Sequence, residues 1–153
     1  MSDRRPLALL TVASLLTGCG SMKASPASYA GLTLDWHDEF NVDGPVSDAD
    51  WTYEEGLVRN KEDQAYRREN VTCRDGLLVI EARRERVANP MHDPAGTTWK
   101  TTREASEYSS GSIKTKGRHA WLHGRFEMRA RIDVRAGLWP AFWTVGTARS
   151  RSE

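Results

Sequence analysis

The stretch Arg125–Val134, RFEMRARIDV, decides the fold class. Phe126, Met128, Ala130, Ile132 and Val134 alternate strictly with Arg125, Glu127, Arg129, Arg131 and Asp133. A period of two places the apolar set on one face of a strand and the charged set on the other, whereas a helix would scatter both around its surface. The same short spacing recurs outward from it. Asp75-Gly76 is a turn signal leading into a second strand, Leu77–Arg83 (LLVIEAR), and Ser110–Lys116 (SGSIKTK), with Gly111 and Gly117 at its bounds, gives a third. Arg86–Thr102, containing Pro90, Pro94 and Gly96, reads as a long surface loop. No convincing amphipathic helix, internal repeat or low-complexity tract interrupts the pattern. Many short strands at this spacing predict an all-β fold, an antiparallel sandwich or barrel.

The bulk composition fits that reading. Of 153 residues, 39% are apolar and 28% charged, as in one soluble domain. With 22 Lys and Arg against 21 Asp and Glu the net charge is +1, so no global field recruits nucleic acid. The six tryptophans serve either as core filler or as flat stacking platforms, and composition does not choose between them.

The first nineteen residues read as an export signal. Arg4 and Arg5 precede Leu7–Leu16, an apolar run too short to span a bilayer. Leu16-Thr17-Gly18-Cys19 resembles the bacterial lipobox, which implies lipidation of Cys19. Gly20 in the following position favours the outer membrane or cell surface, the alternative being a cleaved signal and a secreted protein. Residues 20–31 read as a flexible Ser/Ala linker and 32–153 as the domain. With Cys19 assigned to the anchor, Cys73 has no partner for an internal disulfide and is expected to be a buried small residue. His37, His92, His119 and His123 show no zinc spacing, and the last two read as surface residues of a loop.

Six stretches taken in order resemble the N-terminal half of glycoside hydrolase family 16, the group of laminarinases, lichenases, agarases and carrageenases. They are Leu34–Phe40 (LDWHDEF), Asn60–Tyr66 (NKEDQAY), Asp75–Ala82 (DGLLVIEA), Tyr108–Thr115 (YSSGSIKT), His123–Arg131 (HGRFEMRAR) and Gly137–Trp143 (GLWPAFW). Each alone is modest; six in register cover nearly all of the chain after the linker. The resemblance implies a concanavalin-like antiparallel β-sandwich, the jelly roll. It implies a retaining endo-glycoside hydrolase acting as a monomer on a β-linked polysaccharide. β-1,3-Glucan is favoured over agar or carrageenan, because the Asn60 and Gly137–Trp143 runs look most like the laminarinase branch.

In that family the chemistry rests on a strand reading Glu-x-Asp-x-Glu, or the same with one more residue. Alternate strand residues share a face, so the three carboxyl groups enter one cleft. No such triplet occurs in the sequence, and no catalytic residue is assigned. Glu153, ten residues past Trp143, has no Asp two positions on and is not assigned as a nucleophile. The domain is accordingly expected to be incomplete, without the catalytic strand and the C-terminal half. A non-catalytic glycan-binding lipoprotein is the alternative.

For substrate binding, Asn60 resembles the residue that hydrogen-bonds sugar hydroxyls, since an amide offers donor and acceptor together; as a plain residue it is a loop-capping Asn. Glu62 either lines the same edge or pairs with Arg67 or Arg68. Trp139, Ala141 and Trp143 share one side of an extended segment, opposite Leu138 and Phe142, so Trp139 and Trp143 are candidates for stacking on a sugar. Arg129 lies on the charged face of its strand, which is either solvated or part of a groove where it would hold hydroxyls or sulfate. The resemblance also implies a structural calcium held through backbone oxygens, with Glu39 and Gly76 at the matching positions and a third ligand, a carboxylate, missing, so that poor or no metal binding is expected; no cofactor is expected for catalysis.

Overall fold

A computed structural model describes residues 26–147. Cys19, most of the signal and linker, and Glu153 lie outside the described residues.

The described chain is all-β apart from two short helical turns. In order it forms β1 (Thr52–Tyr53), β2 (Gln64–Tyr66), a 3-10 turn (Arg68–Asn70), β3 (Val71–Arg74), β4 (Leu77–Ile80), β5 (Arg83–Ala88), α1 (Trp99–Thr102), β6 (Ala105–Ser110) and β7 (Ile113–Lys114). These make three small sheets, ordered β1-β7, β2-β6-β5 and β3-β4.

The tightest element is the hairpin at Asp75-Gly76. Both residues take positive φ, 54° and 72°, the pair of left-handed conformations that lets a two-residue turn follow the strand twist. Its register pairs Arg74 with Leu77 and Val71 with Ile80. Cys73, on the inward face of β3, is buried with Val46 and Val71, and Phe40, Trp51, Tyr53, Leu78 and Ile113 pack around them. Burial pushes the Cys73 thiol up, with the nearby Asp38 and Asp43 charges adding to it.

The second unit centres on β6. It pairs antiparallel with β5, with an irregularity between Arg84 and Val87, and parallel with β2. That parallel pair departs from the all-antiparallel expectation. The connection between β2 and β6 runs through the β3-β4 hairpin and β5, long enough to return the chain in the same direction. Glu54 N bonds Ser112 O, continuing the antiparallel β1-β7 pair.

Several strand boundaries move. Leu77–Arg83 breaks after Ile80, where Glu81 N turns to Asn70 O, and β5 begins at Arg83. Ser110–Lys116 divides: Ser110 closes β6 opposite Tyr66, and Ile113–Lys114 form β7. The loop expected over Arg86–Thr102 begins only after Ala88 and ends in α1, where Thr98 and Thr101 cap each other reciprocally.

The largest correction concerns Arg125–Val134. It forms no strand, and Phe126, Met128, Ile132 and Val134 are exposed. A period-two pattern specifies which face a strand buries but supplies no neighbour, and a strand has no hydrogen bonds of its own. Among the described residues none pairs with this segment. Its local contacts still follow the alternation: Arg125 Nε meets Glu127 at 3.1 Å, and Asp133 accepts from Arg135. Tyr29, from the segment read as linker, donates its hydroxyl to Glu127 at 2.5–2.6 Å and lies 4.2 Å from the Arg125 guanidinium.

Candidate functional site

The residues of the Asn60–Tyr66 run come together at the edge of β2. Asn60 and Lys61 both have φ of 55°, in the left-handed region that Asn tolerates better than most residues. This tight turn folds the loop back so that its polar side chains converge on Glu62. Asn60 Nδ2 donates to Glu62 Oε1 at 3.4 Å, while Gln64 Nε2 and the Tyr66 hydroxyl donate to Oε2 at 3.0 and 2.9 Å. Gln64 also reaches the Tyr66 oxygen at 3.1 Å. Burial raises the Tyr66 pKa, and the bond to the Glu62 carboxylate raises it further. Glu62 is therefore not an ion-pair partner of Arg67 or Arg68, which bind Glu69 and Glu85, and Asp48.

Sequence reasoning missed the group behind this edge. The Arg59 guanidinium pairs with Glu54, donates to Tyr66 at 3.2 Å and lies 5.8 Å from the Trp143 ring centroid. Glu54 is buried and also accepts from Ser112 at 2.7 Å and Lys114 at 3.1 Å. Burial works against its charge, but the bonds from Arg59, Ser112 and Lys114 outweigh it and hold the carboxyl below its ordinary value. Arg59 and Glu54 are charges separated along a loop with no period to mark them, so nothing in the sequence set them apart.

Of the two stacking candidates, the structure brings Trp143 to the Asn60–Tyr66 edge through Arg59. Trp139 is 93% exposed, with no contact tying it there. Arg129 lies elsewhere, its exposed guanidinium 3.8 Å from Glu39. That Glu39 carboxylate also faces His37 at 3.8 Å. Gly76, the other position offered for calcium, sits where an added Cβ would be 3.4 Å from Asn41 Oδ1. Among the described residues no three His, Cys, Asp or Glu side chains gather as a metal site.

A second cluster gathers residues given no role or read as loop surface. Trp36 lies 5.5 Å from both Trp51 and Trp121 and 5.1 Å from His119, which stacks on Trp121 at 5.7 Å. Each indole donates to an aspartate: Trp36 to Asp50, Trp51 to Asp38 and Trp121 to Asp35. His119 Nε2 is 2.7 Å from Asp50, so it is a structural residue of this cluster. The four rings pack on one another, with each indole N–H and His119 Nε2 held by an aspartate.

No family model matches the chain. A curated β-glucanase of Rhodothermus marinus is 36% identical over 140 residues, 86% of this chain and 43% of that protein. A glucan endo-1,3-β-glucosidase of Cryptopygus antarcticus is 38% identical over 123 residues, 77% of this chain and 40% of that one. Among solved structures, one from a study of the endo-acting O-glycanases with which gut bacteria initiate mucin breakdown superposes with a TM-score of 0.59. It is 30% identical, over 65% of this chain and 37% of the other. The chain therefore spans about two-fifths of the length of these relatives.

Proposed function

Because this is a chain of the glycoside hydrolase family 16 type, we propose that it builds the sugar-contacting edge of an endo-acting β-glucanase domain, with β-1,3-glucan as substrate. The observation that carries the reading is the convergence of Asn60, Glu62, Gln64 and Tyr66 on one edge, joined through Arg59 to Trp143. Amide and carboxylate groups there match the paired donors and acceptors of sugar hydroxyls, and an exposed indole suits the C–H face of a pyranose. The charges balance: Glu54 and Glu62 stand against Arg59 and Lys114. That suits a neutral glucan better than a sulfated galactan.

Within this reading the residues described here bind and orient the glycan. Retention by double displacement requires two carboxyl groups about 5–5.5 Å apart, one nucleophile and one acid then base. No residue among 26–147 is assigned to either role; the pair would come from the part of the relatives' length that this chain does not span. Cys19 would carry a lipid that holds the protein, as a monomer, at the outer membrane or cell surface.

Affinity electrophoresis of the chain in gels containing laminarin, agarose or carrageenan tests the binding reading. Retardation by laminarin alone is expected. Retardation by carrageenan in its place would overturn the choice of a neutral β-glucan. Laminarin binding with no hydrolysis by the longest natural form of the protein would favour the non-catalytic glycan-binding lipoprotein.

A further inference from the structure

We propose that Arg59 is a positioning residue that fixes the indole of Trp143 for stacking on the glycan, a role that rests on the glucan-binding reading above. Arg59 lies on the turn between β1 and β2, and Trp143 in an extended segment that forms no ladder among the described residues. Only side-chain contacts can then set the angle of that indole against the edge.

Three contacts define the guanidinium. Its Nη2 is held by the carboxylate of Glu54, which Ser112 and Lys114 anchor in turn from the far side of the β1-β7 pair. Its Nη1 donates to the Tyr66 hydroxyl at 3.2 Å, with the Tyr66 ring centroid 5.4 Å away. The Trp143 centroid lies at 5.8 Å, within reach of a cation–π attraction. A planar cation fixed by two partners offers its remaining surface in a set orientation, which the round, freely turning ammonium of Lys does less well. Arg59 takes one side of the indole, and the opposite side, on a residue 62% exposed, is left for a sugar. Its charge is meanwhile absorbed by Glu54, so it acts through Trp143 and not as a ligand for an anionic glycan.

The test uses the 153-residue chain, laminarin, and the variants Arg59→Ala, Arg59→Lys, Trp143→Ala and the double Arg59→Ala/Trp143→Ala. Arg59→Ala should lower laminarin affinity about threefold to tenfold. Arg59→Lys should recover part of that loss, because the cation over the ring is kept. The double variant should bind no more weakly than Trp143→Ala alone. Acrylamide quenching of the Trp143 emission, taken as the difference between the chain and Trp143→Phe, should rise in Arg59→Ala. Should Arg59→Ala lose its far-ultraviolet circular dichroism, Arg59→Gln, which keeps donors for Glu54, carries the same measurements. Additive losses in the double variant, or unchanged Trp143 quenching, would overturn the role. No laminarin binding by the unsubstituted chain would count against the glucan reading instead, and the quenching result would still decide the part played by Arg59.

Discussion

The side-chain amide of Asn70 donates to Ser109 Oγ at 2.9 Å across 39 positions of sequence, and both side chains are fully buried. The same amide donates to Glu81 O at 2.9 Å, and Ser109 Oγ passes its own proton toward Glu85. One side chain thereby joins the β3-β4 hairpin to the three-stranded sheet. Asn70→Ala should cost about 1–3 kcal/mol, because it leaves the half-buried Glu81 carbonyl and the buried Ser109 hydroxyl without their donor. Urea unfolding checks this; a loss below about 0.5 kcal/mol, the range of a surface change, would contradict it.

Gly111 sits where the β6 ladder ends. A Cβ there would lie 2.4 Å from Val71 Cγ2 and 3.1 Å from both Asn70 O and Ile80 Cγ2. Gly111→Ala should therefore destabilise by about 1–3 kcal/mol through overpacking against the hairpin. Differential scanning calorimetry would register it as a lower Tm, and an unchanged Tm would show that the contact relaxes freely.

Acid should loosen the Glu54 site. Its carboxyl is depressed below 4.5 in the fold, so its stabilising contribution is complete above that value and is lost as pH falls through the folded pKa. The chain should lose stability from about pH 4.5 downward, less steeply in Glu54→Gln, which has no such group to protonate. Thermal melts at stepped pH measure both slopes; parallel slopes would remove Glu54 from the acid response.

On the Asn60–Tyr66 edge proposed to contact glycan, Asn60→Ala should weaken laminarin binding about threefold to tenfold, the range of one hydrogen bond to a sugar hydroxyl. Trp139→Ala should change it little, since that indole is 93% exposed and has no contact with the edge like that of Trp143 with Arg59. Isothermal titration with laminari-oligosaccharides separates the two, and a larger loss at Trp139 than at Asn60 would mean the sugar lies elsewhere.

What was legible in the sequence follows what each signal contains. Asp75-Gly76 is complete local information, two residues suited to positive φ, and the hairpin formed where it pointed. Asn60 and Glu62 are marked by the resemblance alone, and the turn at Asn60-Lys61 brings them together. Arg125–Val134 carried the clearest alternation and yet forms no ladder, because a strand needs a neighbour that its own pattern does not name. The parallel β2-β6 pair rests on three residues a side, too short for any period to show. Arg59 and Glu54 stayed hidden because an ion pair closed across a loop leaves no spacing to read. The tryptophans of the Trp36 cluster were found in the composition, but their aspartate partners come from an opening segment that forms no strand.

If these residues form the proposed sugar-contacting edge of an endo-β-1,3-glucanase-type domain, they should serve a complete β-glucanase. The most direct measurement is laminarin hydrolysis by a chimera in which this chain replaces the 140-residue stretch it matches in the Rhodothermus marinus β-glucanase. A folded chimera that releases laminari-oligosaccharides is expected, with the rate lowered by Asn60→Ala and by Trp143→Ala. A chimera that folds but leaves laminarin intact, or whose rate ignores both substitutions, would contradict it.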